Sequence, residues 1–506
     1  MHIPDKLLNS IACFAMALFF ILVLISFKQV EKTQVVKTTP SQAEYWKGIP
    51  LAKMGLELIP LCDPIQVSSG AAEKFIPAIG VNGGVAGVPY SAHILWTEPS
   101  GDSREIIEAA GPIDGGDFCE PRLVTPANGY NSYNPMTASG MHYVYLGFMD
   151  EAMNIREIWF SAGDDIGWTN AVPVSGLDED SRAWGPNPVA FFDGESGYEL
   201  PLMFWFDHRY GNHEISFASR VKGVNFLGPG RGGFALEDSG WHSPIRITED
   251  DWDQYDPYAD WSSACAGLER NVIHLVYCDA RFAEGLVKHD ERKGNFEIFY
   301  RAIRPVGPLI NRDKGATAIP FKQEWDIGEE VRLSTTPDIS DAPSVCGKRF
   351  QGNADLKTAM VVWNEHNESW DKGEIHFCLV EDGHPGKLRL LTPPGAVAMY
   401  PAIMYMPING HADLAAVCYQ QYESGESFPT GTANIYMRII DGKKISEPIK
   451  VSDSRFTCGF PRVTRPGYKL EDEGYALVAW GELRGGVGGK PDENQIFFRS
   501  FKVRER

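Results

Sequence analysis

The sequence predicts an all-β protein made of seven similar four-stranded units, and three observations predict it. One strand pattern recurs seven times from about residue 60 to the end of the chain. Proline and glycine are plentiful, at 34 and 51 residues. Long amphipathic helical runs are absent from the repeated region. A period of roughly 50 to 90 residues with four short strands per unit is typical of the ring of sheets called a β-propeller.

Each unit has four parts, which recur in the same order. The first is a short alternating strand, which begins at Pro64, Pro121, Pro173, Pro244, Glu330, Lys387 and Pro448. The second is a strand entered through an x-Pro step, at Pro77, Pro135, Pro188, Pro257, Pro343, Pro401 and Pro461. The third is an apolar strand that closes at Trp96, Tyr145, Trp205, Tyr277, Trp363, Cys418 and Trp480. The fourth begins with an acid or amide followed by isoleucine, at Glu105, Glu157, Glu214, Glu297, Glu374, Asn434 and Gln495.

The order of the parts predicts how the ring closes. The chain enters the repeat at the Pro64 strand and leaves it after the Gln495 strand. We therefore expect the Pro64 strand to be the outermost strand of the last blade, because such pairing leaves no free sheet edge. An open double sandwich does not explain seven copies in phase. The predicted fold is a seven-bladed β-propeller of four-stranded blades, closed by an N-terminal outer strand.

An apolar stretch precedes the repeats and predicts a membrane anchor. Residues 11–27 carry no charge and follow a short flank, 1–10. The stretch is just long enough for one transmembrane helix, and no small-x-small cleavage site for a signal peptide follows it. We expect a polar tether at 28–58 and the propeller at 59–506. Lysines after the span favour a cytoplasmic body, whereas propellers on a single N-terminal anchor usually face outward; we expect an extracytoplasmic propeller on a single-pass anchor.

Charge and cysteine spacing exclude two classes of protein. The formal net charge is −20, so a nucleic acid is not expected as a partner, because nucleic-acid binding depends on clustered Lys and Arg. None of the nine cysteines stands in a CxxC pair or in a zinc-binding spacing.

Turns after the Glu-Ile strands carry a second pattern. The best copy runs from Ser161 to Trp168, with Asp164, Gly167 and Trp168 at its key positions. It resembles the Asp-box (BNR repeat) of sialidase-like propellers, Ser-x-Asp-x-Gly-x-x-Trp, one residue short. The resemblance covers about 440 residues and implies the fold, since the box is structural in that family. It also implies that the loops before the x-Pro strands and after the aromatic strands share the functional face.

Polar and aromatic residues of those two loop sets are the predicted ligand-binding residues. They are Trp252, Tyr255, Asp256, Arg209, Asp279, Asp341 and Tyr400. Other residues of the same loops are Tyr133, Asn134, Trp184, Asn187 and Phe460. Acids beside exposed aromatics are common on sugar-binding surfaces, so we expect a glycan or a protein partner. The acids Asp251, Asp253 and Asp256 make calcium binding an alternative; no other cofactor is required.

The catalytic motif of sialidases is not matched. Their first carboxylate-binding arginine stands in Arg-Ile-Pro, and this chain has Phe75 at that position, before Ile76 and Pro77. Asp207 and Arg209 recur one blade later as Asp279 and Arg281; a polar cleft is one interpretation, but repetition at equivalent sites favours a structural ion pair. Propeller lyases neutralise a uronate with a cation and abstract its proton with His or Tyr; His208, His213, Tyr255 and Arg281 are the matching residue types.

Two function classes therefore remain open. The first is a binding module that recognises a glycan or a protein on its open face. The second is a carbohydrate-active enzyme, either a sialidase-like glycoside hydrolase or a polysaccharide lyase. Its predicted catalytic residues are Asp207, His208, Arg281 and Tyr255.

Overall fold

The computed structural model describes much of the chain from residue 43 onward. The described ranges are 43–70, 73–82, 90–125, 129–140, 143–152, 155–164, 167–176, 182–193, 198–220, 224–225, 240–249, 252–264, 271–281, 296–306, 324–336, 338–350, 358–369, 371–423, 425–426, 431–466, 473–484 and 493–506. The predicted anchor at 11–27 lies outside them. No helix within the described ranges is long and apolar enough to cross a membrane.

The strands follow one another as seven sheets. The segment before them holds β1 (Glu44–Tyr45), α1 (Leu51–Met54), β2 (Leu56–Pro60) and β3 (Ile65–Gln66). Blade 1 holds β4 (Phe75–Asn82), β5 (Ser91–Ser100), β6 (Ser103–Pro112) and β7 (Arg122–Leu123). Blade 2 holds β8 (Asn131–Ser139), β9 (Val144–Ala152), β10 (Ile155–Gly163) and β11 (Val172–Pro173). Blade 3 holds β12 (Ala183–Asp193), β13 (Tyr198–Asp207), β14 (Glu214–Ser219), β15 (Val224–Asn225) and β16 (Ile245–Arg246).

The remaining four blades repeat the plan. Blade 4 holds β17 (Gln254–Ala264), β18 (Val272–Asp279), β19 (Glu297–Pro305), β20 (Trp325–Ile327) and β21 (Val331–Arg332). Blade 5 holds β22 (Ile339–Gly347), β24 (Thr358–His366), β25 (Gly373–Glu381), β26 (His384–Pro385) and β27 (Arg389–Leu390), while the intervening β23 (Arg349–Phe350) pairs in parallel with β17 of blade 4. Blade 6 holds β28 (Ala398–Tyr405), β29 (Leu414–Tyr422), β30 (Ala433–Asp441), β31 (Lys444–Ile445) and β32 (Ile449–Lys450). Blade 7 holds β33 (Thr457–Thr464), β34 (Glu473–Leu483) and β35 (Gln495–Glu505).

Pairing and packing confirm the seven-bladed propeller. The three long strands of each blade pair antiparallel in chain order. Blade 7 is completed by β3, in which Ile65 pairs with Phe498, so the predicted closure is confirmed. A separate buried cluster fills each space between consecutive blades, and the cluster between blades 7 and 1 joins Leu477 and Phe498 to Ile79 and Ile94. The seven predicted closing positions of the apolar strands are all buried.

A β-bulge explains the recurring x-Pro step. The register of every innermost strand shifts by one residue at this step, because two of its residues stand opposite one residue of the neighbouring strand. In blade 3 the bulge is Gly185-Pro186, so the equivalent proline is Pro186, and the predicted Pro188 is wrong. As at the other bulges, the residue before this proline has positive φ: Gly185 has φ of 61° and Pro186 follows it.

Buried hydrogen bonds explain the recurring acid- or amide-isoleucine step. The isoleucine N–H of every blade donates to a Ser or Thr hydroxyl on the outer strand side, at Thr125, Ser175, Thr248, Ser334, Thr392, Ser452 and Ser68. That hydroxyl donates in turn to the preceding acid or amide in several blades, as from Thr125 to Glu105 at 2.6 Å and from Ser68 to Gln495 at 2.8 Å. The signal is therefore structural, since it satisfies polar groups that the sheet buries.

The segment before the blades does not behave as a tether from residue 43 onward. β1 pairs in parallel with β27 of blade 5, Ile49 bridges to Ser446 of blade 6, and β2 pairs antiparallel with β35 of blade 7. We call residues 43–60 the strap. Arg438 fastens it, because the buried guanidinium donates to the carbonyls of Ser446, Leu391 and Trp46. Apolar residues such as Met54 and Leu56 enter the core, so the predicted polar tether is wrong for residues 43–58.

Candidate functional site

The seven bulges surround one end of the ring, which we call the upper face. Each second strand ends beside the start of the innermost strand of its blade, as Asp279 does beside Gln254. The loops that enter the innermost strands and the turns after the second strands therefore share this end, as the sequence predicts. Below the bulges lies an axial cavity of about 110 Å³ lined by all seven innermost strands. Toward its other end, the Ser139 and Thr464 hydroxyls lie 2.9 Å apart.

The bulge places a residue at positive φ in six blades. Asn134, Asp256, Ala342, Tyr400 and Phe460 have φ between 46° and 55°, and Gly185 has 61°. Asn, Asp and Gly tolerate this conformation well, whereas a bulky residue is strained by roughly 1–2 kcal/mol. Tyr400 and Phe460 are such bulky residues, both half-buried. Their ring centroids lie 4.5 Å apart, so blades 6 and 7 together present an aromatic pair at the upper face.

A cluster of polar and aromatic side chains lies on the upper face between blades 2 and 3. The Tyr133 hydroxyl donates to the Glu151 carboxylate, and Arg156 Nε donates to the same carboxylate at 3.1 Å. The Arg156 guanidinium lies 3.9 Å from the centre of the Trp184 ring. Burial raises the pKa of the Tyr133 hydroxyl, and the neighbouring Glu151 raises it further. Tyr133 is therefore a hydrogen-bond donor in this arrangement and is not activated as a nucleophile.

Two of the predicted catalytic residues come together between blades 3 and 4. The rings of His208 and His213 have centroids 4.8 Å apart, and those of His213 and Tyr255 are 4.9 Å apart. Asp253 holds His213, because its Oδ1 accepts the backbone N–H at 2.7 Å and lies 3.1 Å from Nδ1. A histidine oriented by a carboxylate beside a tyrosine has the composition of a proton-transfer group.

The other two predicted catalytic residues have structural partners. Arg281 donates to Asp279, two residues earlier, and lies 2.6 Å from Glu330. Arg209 Nε donates to Asp207 Oδ2 at 2.7 Å. Its Nη2 also donates to the Ser175 carbonyl of blade 2 at 2.7 Å, and this bond joins two blades.

The remaining predicted ligand-binding residues are spread around the upper face. Trp252 is half-buried, and its carbonyl accepts from Asn212 at 2.7 Å. The Asp341 carboxylate lies 3.2 Å from Nε2 of His366. Burial lowers the pKa of His366, but Asp341 outweighs this effect and raises it. Asn187 lies deeper and accepts from the Ala259 N–H at 2.9 Å, so it joins blades 3 and 4.

The predicted calcium ligands are only partly described. Asp251 lies outside the described residues. Asp253 is engaged by His213, and Asp256 lies at the blade 4 bulge. Among the described residues, no group of three or more His, Cys, Asp or Glu side chains could hold a metal ion. Calcium binding thus stays a prediction.

Sequence reasoning missed Arg462, which lines the axial cavity. It is the first residue after the bulge proline of blade 7, a position held elsewhere by Ala78, Met136, Asn187, Tyr258, Ser344 and Ala402. It is the one charged residue at this position of the repeat, and that departure was readable from the aligned copies. Burial lowers the pKa of its guanidinium, whereas Tyr258 and Asp256 act in the opposite direction.

Comparisons with known proteins do not assign a family. No family model matches the chain, and no curated protein matches it. A solved GH93 α-L-arabinofuranosidase of Fusarium graminearum is 13% identical with a TM-score of 0.44, over 76% of this chain and 98% of that one.

Two further solved structures are similar at the same level. The haemagglutinin-neuraminidase ectodomain of parainfluenza virus 5 is 9% identical with a TM-score of 0.40, over 99% and 97% of the two chains. A PL25 ulvan lyase is 11% identical with a TM-score of 0.40, over 72% of this chain and 78% of that one. The structural neighbours thus include glycoside hydrolases and a polysaccharide lyase. Likeness this low carries no conclusion about the activity of this chain.

Proposed function

We propose that the protein binds a carbohydrate on its upper face. The aromatic pair of Tyr400 and Phe460 supports this proposal. Both rings are half-buried at positive φ, where glycine serves in blade 3. Backbone strain of this kind persists at functional sites when the side chain is needed there. Two adjoining rings offer an apolar surface on which a sugar ring would stack, and Asp256 and Asp341, at the bulges of blades 4 and 5, would supply hydrogen-bond acceptors on the same face.

The size of the cavity supports a ligand that lies on the upper face. A cavity of about 110 Å³ is smaller than the roughly 300–1,000 Å³ of most small-molecule pockets. A sugar ring would therefore stay at the mouth, and only a substituent would enter the axis.

The test is a glycan-array screen of the full chain and of three variants. Tyr400→Gly and Phe460→Gly remove the rings and leave a residue that suits the backbone. Tyr475→Ala is the matched control, because this half-buried tyrosine stands at the far end of blade 7. We expect at least a tenfold loss of affinity in the first two variants and none in the control. Equal affinity in all variants would refute the proposed site.

A second candidate function is catalysis on the bound carbohydrate, either lyase or hydrolase. The convergence of His208, His213 and Tyr255, with Asp253 orienting His213, favours it. In a lyase the imidazole or the phenol would take the proton beside a uronate carboxylate. A hydrolase would instead need two carboxyl groups on opposite sides of the glycosidic bond.

Product analysis separates the two functions. Each glycan that binds is incubated with excess protein, and unsaturated uronate absorbance and new reducing ends are measured. A lyase gives both signals, a hydrolase gives reducing ends alone, and a binding module gives neither. Tyr255→Phe and His213→Asn would abolish turnover and keep binding if this cluster acts in catalysis; full turnover in both variants would exclude it.

The membrane anchor at 11–27 and the sialidase-like resemblance are also proposals. The turn after β10 supports the resemblance, because the Gly167 N–H donates to Asp164 Oδ1 at 3.2 Å and Trp168 packs between blades 1 and 2. An anchored propeller on the outer side of the membrane would be cleaved by protease added to intact cells. Protection until the cells are lysed would contradict that orientation.

A further inference from the structure

Arg462 is a cation in the axial cavity without a carboxylate partner in the described part of the chain. Its Nη2 lies 3.8 Å from the Met136 sulfur, which is a weak acceptor. Its Nε is buried and has no hydrogen-bond partner among the described residues. A half-buried guanidinium with such contacts is costly, because the hydration lost at its buried Nε is not replaced. Three other arginines of the upper face contrast with it, since Arg209, Arg281 and Arg484 each pair with an acid two residues earlier.

The charged neighbours of Arg462 leave it available to a ligand anion. Asp256 and Tyr258 influence its pKa, but neither forms an ion pair or hydrogen bond with it within the described residues. Asp260 also lines the cavity, and its Oδ2 accepts from the Gly347 N–H at 3.0 Å. Arg465 adds a second positive charge to the same wall, with its guanidinium 6.0 Å from the centre of the Tyr405 ring.

We propose that Arg462 binds the anionic group, a carboxylate or a sulfate, of an acidic carbohydrate held on the upper face. This inference rests on the proposed function and gives its ligand class. Arg462 follows Phe460 by two residues on β33, just after the bulge, and it lines the cavity below the upper face, where its Nη2 lies 3.8 Å from the Met136 sulfur of blade 2. A ring stacked on Tyr400 and Phe460 would direct one small substituent into the cavity. A guanidinium binds a carboxylate or a sulfate through paired N–H donors.

The first experiment compares two sugars that differ only at carbon 6, methyl glucuronide and methyl glucoside. Calorimetric titration of the full chain is expected to give the uronide at least tenfold higher affinity, and the difference should shrink as salt is added. Arg462→Gln is expected to reduce uronide affinity to that of the glucoside and to leave glucoside affinity unchanged. Arg484→Gln, the control in the same blade, is expected to keep the preference. An unchanged preference in Arg462→Gln would overturn the inference and leave carbohydrate binding in place.

A second experiment tests the anion site without any sugar. Thermal unfolding is followed while sulfate replaces chloride at constant ionic strength. General salt effects act equally on the wild type and on Arg462→Gln, so the difference between their midpoint shifts reports the site. We expect the wild type to gain several degrees more than the variant. Equal midpoint shifts would show that Arg462 does not bind sulfate. The uronide titration would then decide whether the site binds a carboxylate. Failure of both sugars to bind, with a specific sulfate shift, would refute the carbohydrate proposal and keep the anion site.

Discussion

The strain at Tyr400 and Phe460 makes a prediction that runs against the usual effect of removing an aromatic side chain. Both residues have φ of 54°, which costs an L-residue with a side chain roughly 1–2 kcal/mol. Alanine keeps much of this strain, whereas glycine removes it and costs about 0.5–1 kcal/mol of extra chain entropy. Loss of the ring pair, worth about 0.5–1.5 kcal/mol, is common to both substitutions. Tyr400→Gly is therefore expected to be about 1 kcal/mol more stable than Tyr400→Ala, and the same order holds for Phe460.

Urea unfolding followed by tryptophan fluorescence measures this difference, and the same samples are titrated with the glycan that binds the wild type. Gly185, at the same position in blade 3, shows that the bulge accepts glycine. We expect both glycine variants to lose binding while they stay folded. A glycine variant less stable than its alanine counterpart would refute the strain argument. A glycine variant that binds as the wild type does would refute the role of the ring.

Three further predictions concern the forces that hold the blades. Burial raises the pKa of Glu297 to about 7, from 4.5, so between these pH values the folded protein holds a proton that the unfolded chain has lost. The free energy of unfolding should therefore fall as pH rises from about 4.5 to 7. Glu297→Gln should flatten this pH dependence, as measured by urea unfolding. Trp168→Phe removes the indole donor 3.0 Å from Glu108 and should cost about 1–3 kcal/mol at pH 7. Burial raises the pKa of Glu108, but bonds from His93, Arg122 and Trp168 outweigh burial and keep the pKa lowered. The stability deficit of Trp168→Phe should therefore shrink only in acid, as pH falls through this lowered pKa and the carboxylate is protonated. A deficit independent of pH would exclude the bond as its cause. Arg438→Met removes the donor from three carbonyls of the strap and of blades 5 and 6. We expect faster hydrogen exchange at the Trp46 and Ile49 amides. Unchanged exchange would show that strand pairing alone holds the strap.

The fold was predictable because each structural feature that recurs in the blades requires a particular residue type, and those residues recur in the sequence. The bulge requires a proline in every blade, and the buried isoleucine N–H requires a hydroxyl beside an acid or amide. Pro188 was assigned in place of Pro186 because blade 3 carries two prolines two residues apart, and the sequence pattern does not report the φ of Gly185 that decides between them. The strap was missed because its short strands pair with edges that are distant in sequence, as Glu44 does with Arg389.

The candidate site was only partly predictable, because spacing within one blade does not report contacts between blades. His208, His213 and Tyr255 were recognisable as residue types, but the contact of His213 with Tyr255 joins blades 3 and 4. Asp207 and Arg209 show the opposite case. Their repetition as Asp279 and Arg281 already favoured an ion pair over a cleft, and both pairs are made.

Departures from the repeat distinguish functional from structural residues on the upper face. At the bulge the backbone is equally served by Asn134, Gly185 or Asp256, which tolerate positive φ. The backbone conformation disfavours Tyr400 and Phe460, which are strained at positive φ. Their presence is therefore explained by a role of their side chains and not by the requirements of the bulge. The position after the bulge proline gives the same result, because uncharged residues fill it in six blades and Arg462 fills it in the seventh. All three departures lie in blades 6 and 7, so the proposed binding site is centred on these two blades, where a bound sugar ring would contact the aromatic pair and direct its acidic group into the cavity.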